Sequence, residues 1–158
     1  MSGVSVTSVS LRIIGFVISV HVLGMYAFSP IIGSLSDRLG RVRVIQIGLV
    51  ILLLSTIVAG TAAASNAYQI GVGLFLLGLG WSCTLIGGSA FLSEAVSLEM
   101  RPASQGASDL VMNLAGAGGG ALAGVIIGTL SYGWLCLFAA IPVIILAYLS
   151  RKIGLIVD

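Results

Sequence analysis

With 158 residues, 58 % of them apolar and only 8 % charged, the chain has too little polar surface for a water-soluble domain, where charged residues reach about 25 %. The net charge of +2 and the absence of a basic stripe interleaved with aromatics point away from a nucleic-acid partner. Cys83 and Cys136 stand singly in apolar runs, so neither a disulfide framework nor a metal site is expected, and no cofactor is implied.

A membrane crossing needs about 20 largely apolar residues. Residues 1–10 are mildly polar and lack a basic leader region, so a cleaved signal is not expected. Five apolar stretches then follow, at 13–35, 44–64, 68–92, 107–130 and 134–149. Pro30 and Pro142 fall inside stretches and should kink them, because proline has no N–H to continue the helical ladder. The connections expected at 36–43, 65–67, 93–106 (around Pro102) and 131–133 are short enough for antiparallel neighbours. Open sheet edges are not tolerated in lipid. The expected fold is therefore all-α: a polytopic bundle of five transmembrane helices, forming one domain over 1–158. Arg38, Arg41, Arg43, Arg101, Arg151 and Lys152 fall on one side of the bilayer, with Arg12 alone out of pattern. The positive-inside rule then puts the amino terminus outside and the carboxyl terminus in the cytoplasm.

The segment from Gly33 to Arg43 carries the densest signal: Gly33, Leu35, Asp37, Arg38, Gly40 and Arg41 in fixed spacing. Gly33 suits a close backbone approach, and Gly40 suits a left-handed helix end. Asp37 is unfavourable near the negative end of a helix dipole, so it should seek Arg41 or the start of another helix. This spacing resembles the G-x-L-x-D-R-x-G-R loop of the major facilitator superfamily of secondary transporters, with Val42 where a second basic residue usually follows. The runs around Gly78–Gly88 and Ser108–Gly116, and Tyr132-Gly133-Trp134 opening the last stretch, resemble the superfamily's tenth, eleventh and twelfth helices. The resemblance implies helices eight to twelve of a twelve-helix carrier, with the amino-terminal half missing. It also implies that Asp37 and Arg41 belong to a cytoplasmic charge network that latches two halves, rather than to substrate binding.

Outside that loop, His21 lies in the first stretch. It is either a hydrogen-bonded structural histidine or a cavity residue that binds solute or carries a proton. Trp81 either packs or lines a cavity, and its indole N–H needs an acceptor. Asp109 and Asn113 share a helical face; an acid in a first turn would be favoured by the dipole, so Asp109 is expected in the cytoplasmic charge network with Arg38, Glu94 and Arg101, and Asn113 is a candidate for the substrate or proton pathway. Glu94 is expected to pair with Arg101 across the third connection. Gly116, Gly120, Gly124 and Gly128 form one smooth stripe, expected to serve helix packing rather than hinging. No Walker A or H-E-x-x-H motif is present, so neither ATP-driven transport from this chain nor zinc hydrolysis is expected, and the chain is not read as an enzyme. Two functions are compatible with these features. One is part of a carrier of a small solute in a bacterial plasma membrane, by alternating access with proton coupling as an option. The other is a truncated membrane protein that only inserts or associates with a partner.

Overall fold

A computed structural model describes residues 3–63 and 66–157. It contains helices α1 (Gly3–Tyr26), α2 (Ser29–Leu39), α3 (Arg41–Gly60), α4 (Ala67–Ala95), α5 (Arg101–Thr129) and α6 (Tyr132–Val157), with a short 3₁₀ turn at Leu98–Met100. No strand occurs among the described residues. Five crossings are long and apolar enough for a bilayer, the first built from α1 and α2 together.

That first crossing is broken where Pro30 stands in the opening turn of α2. Its nitrogen cannot donate to the carbonyl of Tyr26, so the ladder lapses at Ala27–Phe28 and resumes with Ile32 N–H on Phe28 O at 2.9 Å. Pro142, by contrast, sits within a continuous α6. The largest departure from expectation is between the third and fourth crossings. The connection expected at 93–106 shrinks to the few residues between Ala95 and Arg101, and Pro102 lies in the first turn of α5. A proline there costs nothing, because first-turn N–H groups have no intrahelical acceptor. Asp109 is consequently about 12 Å along the helix at 1.5 Å per residue, not in the first turn, and the dipole argument for it fails.

Helix α4 is the centre of the bundle, with α1 and α3 packed against it and α6 packed against α3. Lipid offers no hydrophobic drive for helices to associate, so close backbone approach must supply the attraction. The approach is made by glycines of α4 seven residues apart, an interval that returns to almost the same face, drifting only about 20°. Gly73, Gly80 and Gly87 face α3: an added Cβ would come within 2.8 Å of Ala59 Cβ, 2.8 Å of Leu52 Cγ and 2.9 Å of Ile45 Cγ1, respectively. Gly71 and Gly78 face α1, where Gly78 lies directly against the His21 and Met25 backbone. The buried apolar core, Ile32, Val44 and Cys83, lies where α2, α3 and α4 meet, with Phe28, Leu35, Ile51, Leu79 and Ile86 packed around it.

Glutamine side chains tie the remaining helices. Gln46 Nε2 donates to Ser150 O at 3.2 Å, joining α3 to α6. Gln105 Nε2 donates to Ser89 O at 3.0 Å and Ser93 Oγ at 2.9 Å, joining α5 to α4. Asn66 caps α4 by accepting from Gln69 N–H at 3.1 Å. Between α2 and α3 stands Gly40, the one residue with positive φ among the described residues, at φ 94° and ψ 153°. This is not the left-handed helical region expected from the sequence but a more extended one that is essentially restricted to glycine. Gly40→Ala is therefore expected to cost about 1–3 kcal/mol, measured as a lowered midpoint of detergent-induced unfolding of the purified chain. An unchanged midpoint would show that the turn relaxes freely.

Candidate functional site

The α2–α3 turn and the end of α4 build one charged cluster around Arg41. Its Nη1 donates to Asp37 Oδ1 and, at 3.2 Å, to the Oγ of buried Ser36. Its Nε and Nη2 both reach Glu94 Oε1, at 3.0 and 2.8 Å. One guanidinium thus holds α2, α3 and α4 together. Glu94 arrives there because it is the next residue, seven on, in the series Gly73, Gly80, Gly87 that faces α3. The closeness of Gly87 to the Arg41 carbonyl, 3.2 Å from an added Cβ, brings the two chains within side-chain reach.

The same geometry corrects the expected pairing of Glu94 with Arg101. Glu94 is held by Arg41, while Arg101 Nε is buried without a hydrogen-bond partner. The other members of the loop motif divide. Asp37 meets Arg41 as its position at a helix end demands. Arg38 is exposed beside a shallow depression formed with Pro30, Ile31, Ser34 and Leu35. Gly33 makes no close approach within this chain, since an added Cβ there meets nothing within 4 Å.

Two candidates lie on the α1–α4 seam. His21 Nδ1 is 2.7 Å from Leu74 O. A carbonyl can only accept, so the proton of a neutral ring resides on Nδ1 and leaves Nε2 as the basic atom. Trp81, seven residues beyond Leu74, meets Tyr26 edge to face at 6.4 Å between centroids. The structure thus places His21 and Trp81 on one seam, about 10 Å apart along α4.

Helix α5 carries the third group. Asp109, Asn113, Gly116, Gly120, Gly124 and Gly128 advance by four, three, four, four and four residues, which keeps them on one ridge. The ridge is exposed throughout, and an added Cβ at any of its four glycines meets nothing within 4 Å. The glycine stripe therefore packs against no helix among the described residues, and the close contacts fall to α4 instead. Asn113 Nδ2 turns back to Asp109 O at 2.7 Å. A 29-residue helix is about 43 Å long, against about 30 Å of hydrocarbon. If α5 is centred in the bilayer, Asp109 lies inside the hydrocarbon layer, where an ionisable side chain is costly unless it faces protein or a water-filled cavity. The sequence reading put this acid in a first helical turn because it set the start of α5 six residues late.

Comparison with known proteins accords with these features. The family model of the Major Facilitator Superfamily matches residues 3–153. The chain is 38 % identical over 128 residues to the uncharacterized MFS-type transporter YdeG of Bacillus subtilis (strain 168), covering 81 % of this chain and 30 % of that protein. It is 34 % identical over 128 residues to YddS of the same organism, covering 81 % and 29 %. Similarity to the riboflavin transporter RfnT of Brucella anthropi is 33 % over 95 residues, 58 % of this chain and 23 % of that one. No solved structure matches the chain. The chain spans less than a third of the length of these relatives. With a family match across nearly its whole length, five membrane-length helices and the Gly33–Arg43 loop, the chain belongs to the major facilitator superfamily.

Proposed function

We propose that this chain supplies helices eight to twelve of a secondary carrier in a bacterial plasma membrane, and that an amino-terminal half completes the solute pathway. The observation that carries the proposal is the open ridge of α5. It presents a carboxylate and an amide beside a run of bare backbone, and no helix among the described residues covers it. An acid on a membrane-length helix suits a water-filled path between two helical halves. His21 and Asp109 are then the proton-pathway candidates, Trp81 and Asn113 the solute contacts, and the Arg41 cluster the cytoplasmic latch. The basic residues favour an outside amino terminus and a cytoplasmic carboxyl terminus. Riboflavin is the first solute to assay, because one similar protein is a transporter of it.

The test is uptake into proteoliposomes by the full-length parent carrier with single substitutions. His21→Gln keeps an N–H donor for Leu74 O but cannot take up a proton, so it separates the structural role of the ring from the chemical one. The variant is expected to remain folded and to lose the pH dependence of uptake. Wild-type uptake and pH profile in His21→Gln would make the histidine purely structural. Wild-type uptake in Asp109→Asn would remove the ridge from the pathway.

A further inference from the structure

Two crossings carry at their middles an aromatic pair that helix packing does not require. The first crossing, Leu11–Leu39, and α4, Ala67–Ala95, are each 29 residues long. Tyr26 is one residue from the middle of the first, and Trp81 is at the middle of the second. Their rings meet edge to face at 6.4 Å between centroids. Tyrosine and tryptophan favour the two membrane surfaces, where one end of the ring is wet. Trp134 follows that preference: it stands in the opening turn of α6 and packs on Phe138 at 6.0 Å. Tyr26 is 60 % exposed, and neither its hydroxyl nor the Trp81 indole N–H has a hydrogen-bond acceptor among the described residues. The indole nitrogen is not a buried atom, so it opens onto space outside the packed helices.

The backbone beside Tyr26 is an independent sign. The helical ladder lapses at Ala27–Phe28, where Pro30 leaves the Tyr26 carbonyl without its donor. Ala27 and Pro30 are exposed, so the described helices do not bury the break. Non-helical backbone at membrane depth is tolerated only where protein buries it or where it lines a water-filled cavity.

We propose that Tyr26 and Trp81 are the ring-binding wall of the solute site, and that the solute is planar, aromatic and edged with hydrogen-bond acceptors. The proposal rests on this chain being part of a carrier, and adds to that reading the class of solute and Tyr26 as a contact. A ring inserted here packs against both side chains, and its acceptors take the two unpaired donors. A sugar would satisfy the donors and leave the aromatic faces unused. A lipid tail would leave the donors unpaired.

The test is the fluorescence of two single-tryptophan chains in detergent. They are titrated with riboflavin, a planar heterocycle, or with ribitol, which matches its side chain without the ring. Trp134→Phe leaves Trp81 as the sole tryptophan, and Trp81→Phe leaves Trp134. Riboflavin is expected to quench Trp81 saturably and Trp134 only in proportion to its concentration, while ribitol quenches neither. With Trp81 as the reporter, Tyr26→Leu should weaken riboflavin binding by about 2- to 12-fold, the contribution of one aromatic pair. Tyr26→Phe, which keeps the ring, should weaken it less, with helix content of both variants checked by circular dichroism. Phe138→Leu, at the other aromatic pair, should change nothing. Linear quenching of both tryptophans, or saturable quenching untouched by Tyr26→Leu, would overturn the site. Uptake of a non-aromatic solute by the full-length carrier, unaltered by Tyr26→Leu, would overturn the aromatic class and leave the carrier reading standing.

Discussion

Gly78→Ala is expected to be among the most destabilising single-methyl additions available to this chain, costing about 1–3 kcal/mol or more. The added carbon would overlap the His21 carbonyl oxygen and lie 3.0 Å from the Met25 nitrogen. Both are backbone atoms of α1, so no rotamer change relieves the contact, and the two helices must separate. Separation also lengthens the 2.7 Å bond from His21 to Leu74 and leaves a polar ring unsatisfied in lipid, a further penalty. Gly120→Ala makes the opposite prediction. Nothing lies within 4 Å of its added carbon, and alanine is favoured over glycine in a helix by about 1 kcal/mol. In the isolated chain Gly120→Ala should therefore be neutral or stabilising, while in the full-length carrier it should impair uptake by obstructing the ridge. Reversible unfolding of both variants in mixed detergent micelles, followed by circular dichroism, measures the contrast. Equal destabilisation of the two would mean that α5 packs against the other helices more closely than its open ridge indicates.

That contrast also marks where the sequence was informative. Five crossings were legible because length and hydropathy suffice for a helix in lipid. The pairing of Asp37 with Arg41 followed from the helix dipole and a four-residue spacing. Among the described residues the close helix contacts fall on a different glycine series. The four-residue glycine series of α5 is conspicuous, whereas the seven-residue series Gly73, Gly80, Gly87, Glu94 lies among other small residues of α4. Both intervals are compatible with a helical face, and sequence alone does not say which face meets a neighbour. The partner of His21 was illegible for a different reason: a backbone carbonyl such as Leu74 O leaves no trace in residue type. Pro102 misled because proline marks loops and first helical turns alike.

Arg41→Gln is expected to cost the isolated chain only about 1 kcal/mol, yet to alter transport by the full-length carrier far more visibly. The side chains of Asp37 and Glu94 are 68 % and 55 % exposed, and that of Arg41 is 23 % exposed. Ion pairs so accessible to water contribute about 0–1 kcal/mol each. This size is what the proposed role as a cytoplasmic latch requires, because a contact worth several kcal/mol more would hold one state permanently. Removing 1 kcal/mol still shifts a two-state ratio about fivefold, a change readable as altered accessibility of a cysteine placed at either mouth of the carrier. Arg41→Lys should fall between wild type and Arg41→Gln, since lysine keeps the charge but not the three nitrogens that reach Ser36, Asp37 and Glu94 together. Exchanging Arg41 and Glu94 should rescue only in part, because Asp37 would then face a like charge. The further change Asp37→Asn is expected to complete the rescue. Exchanging Glu94 with Arg101 should rescue nothing, and restored transport in that double variant would return Glu94 to the partner across the α4–α5 connection.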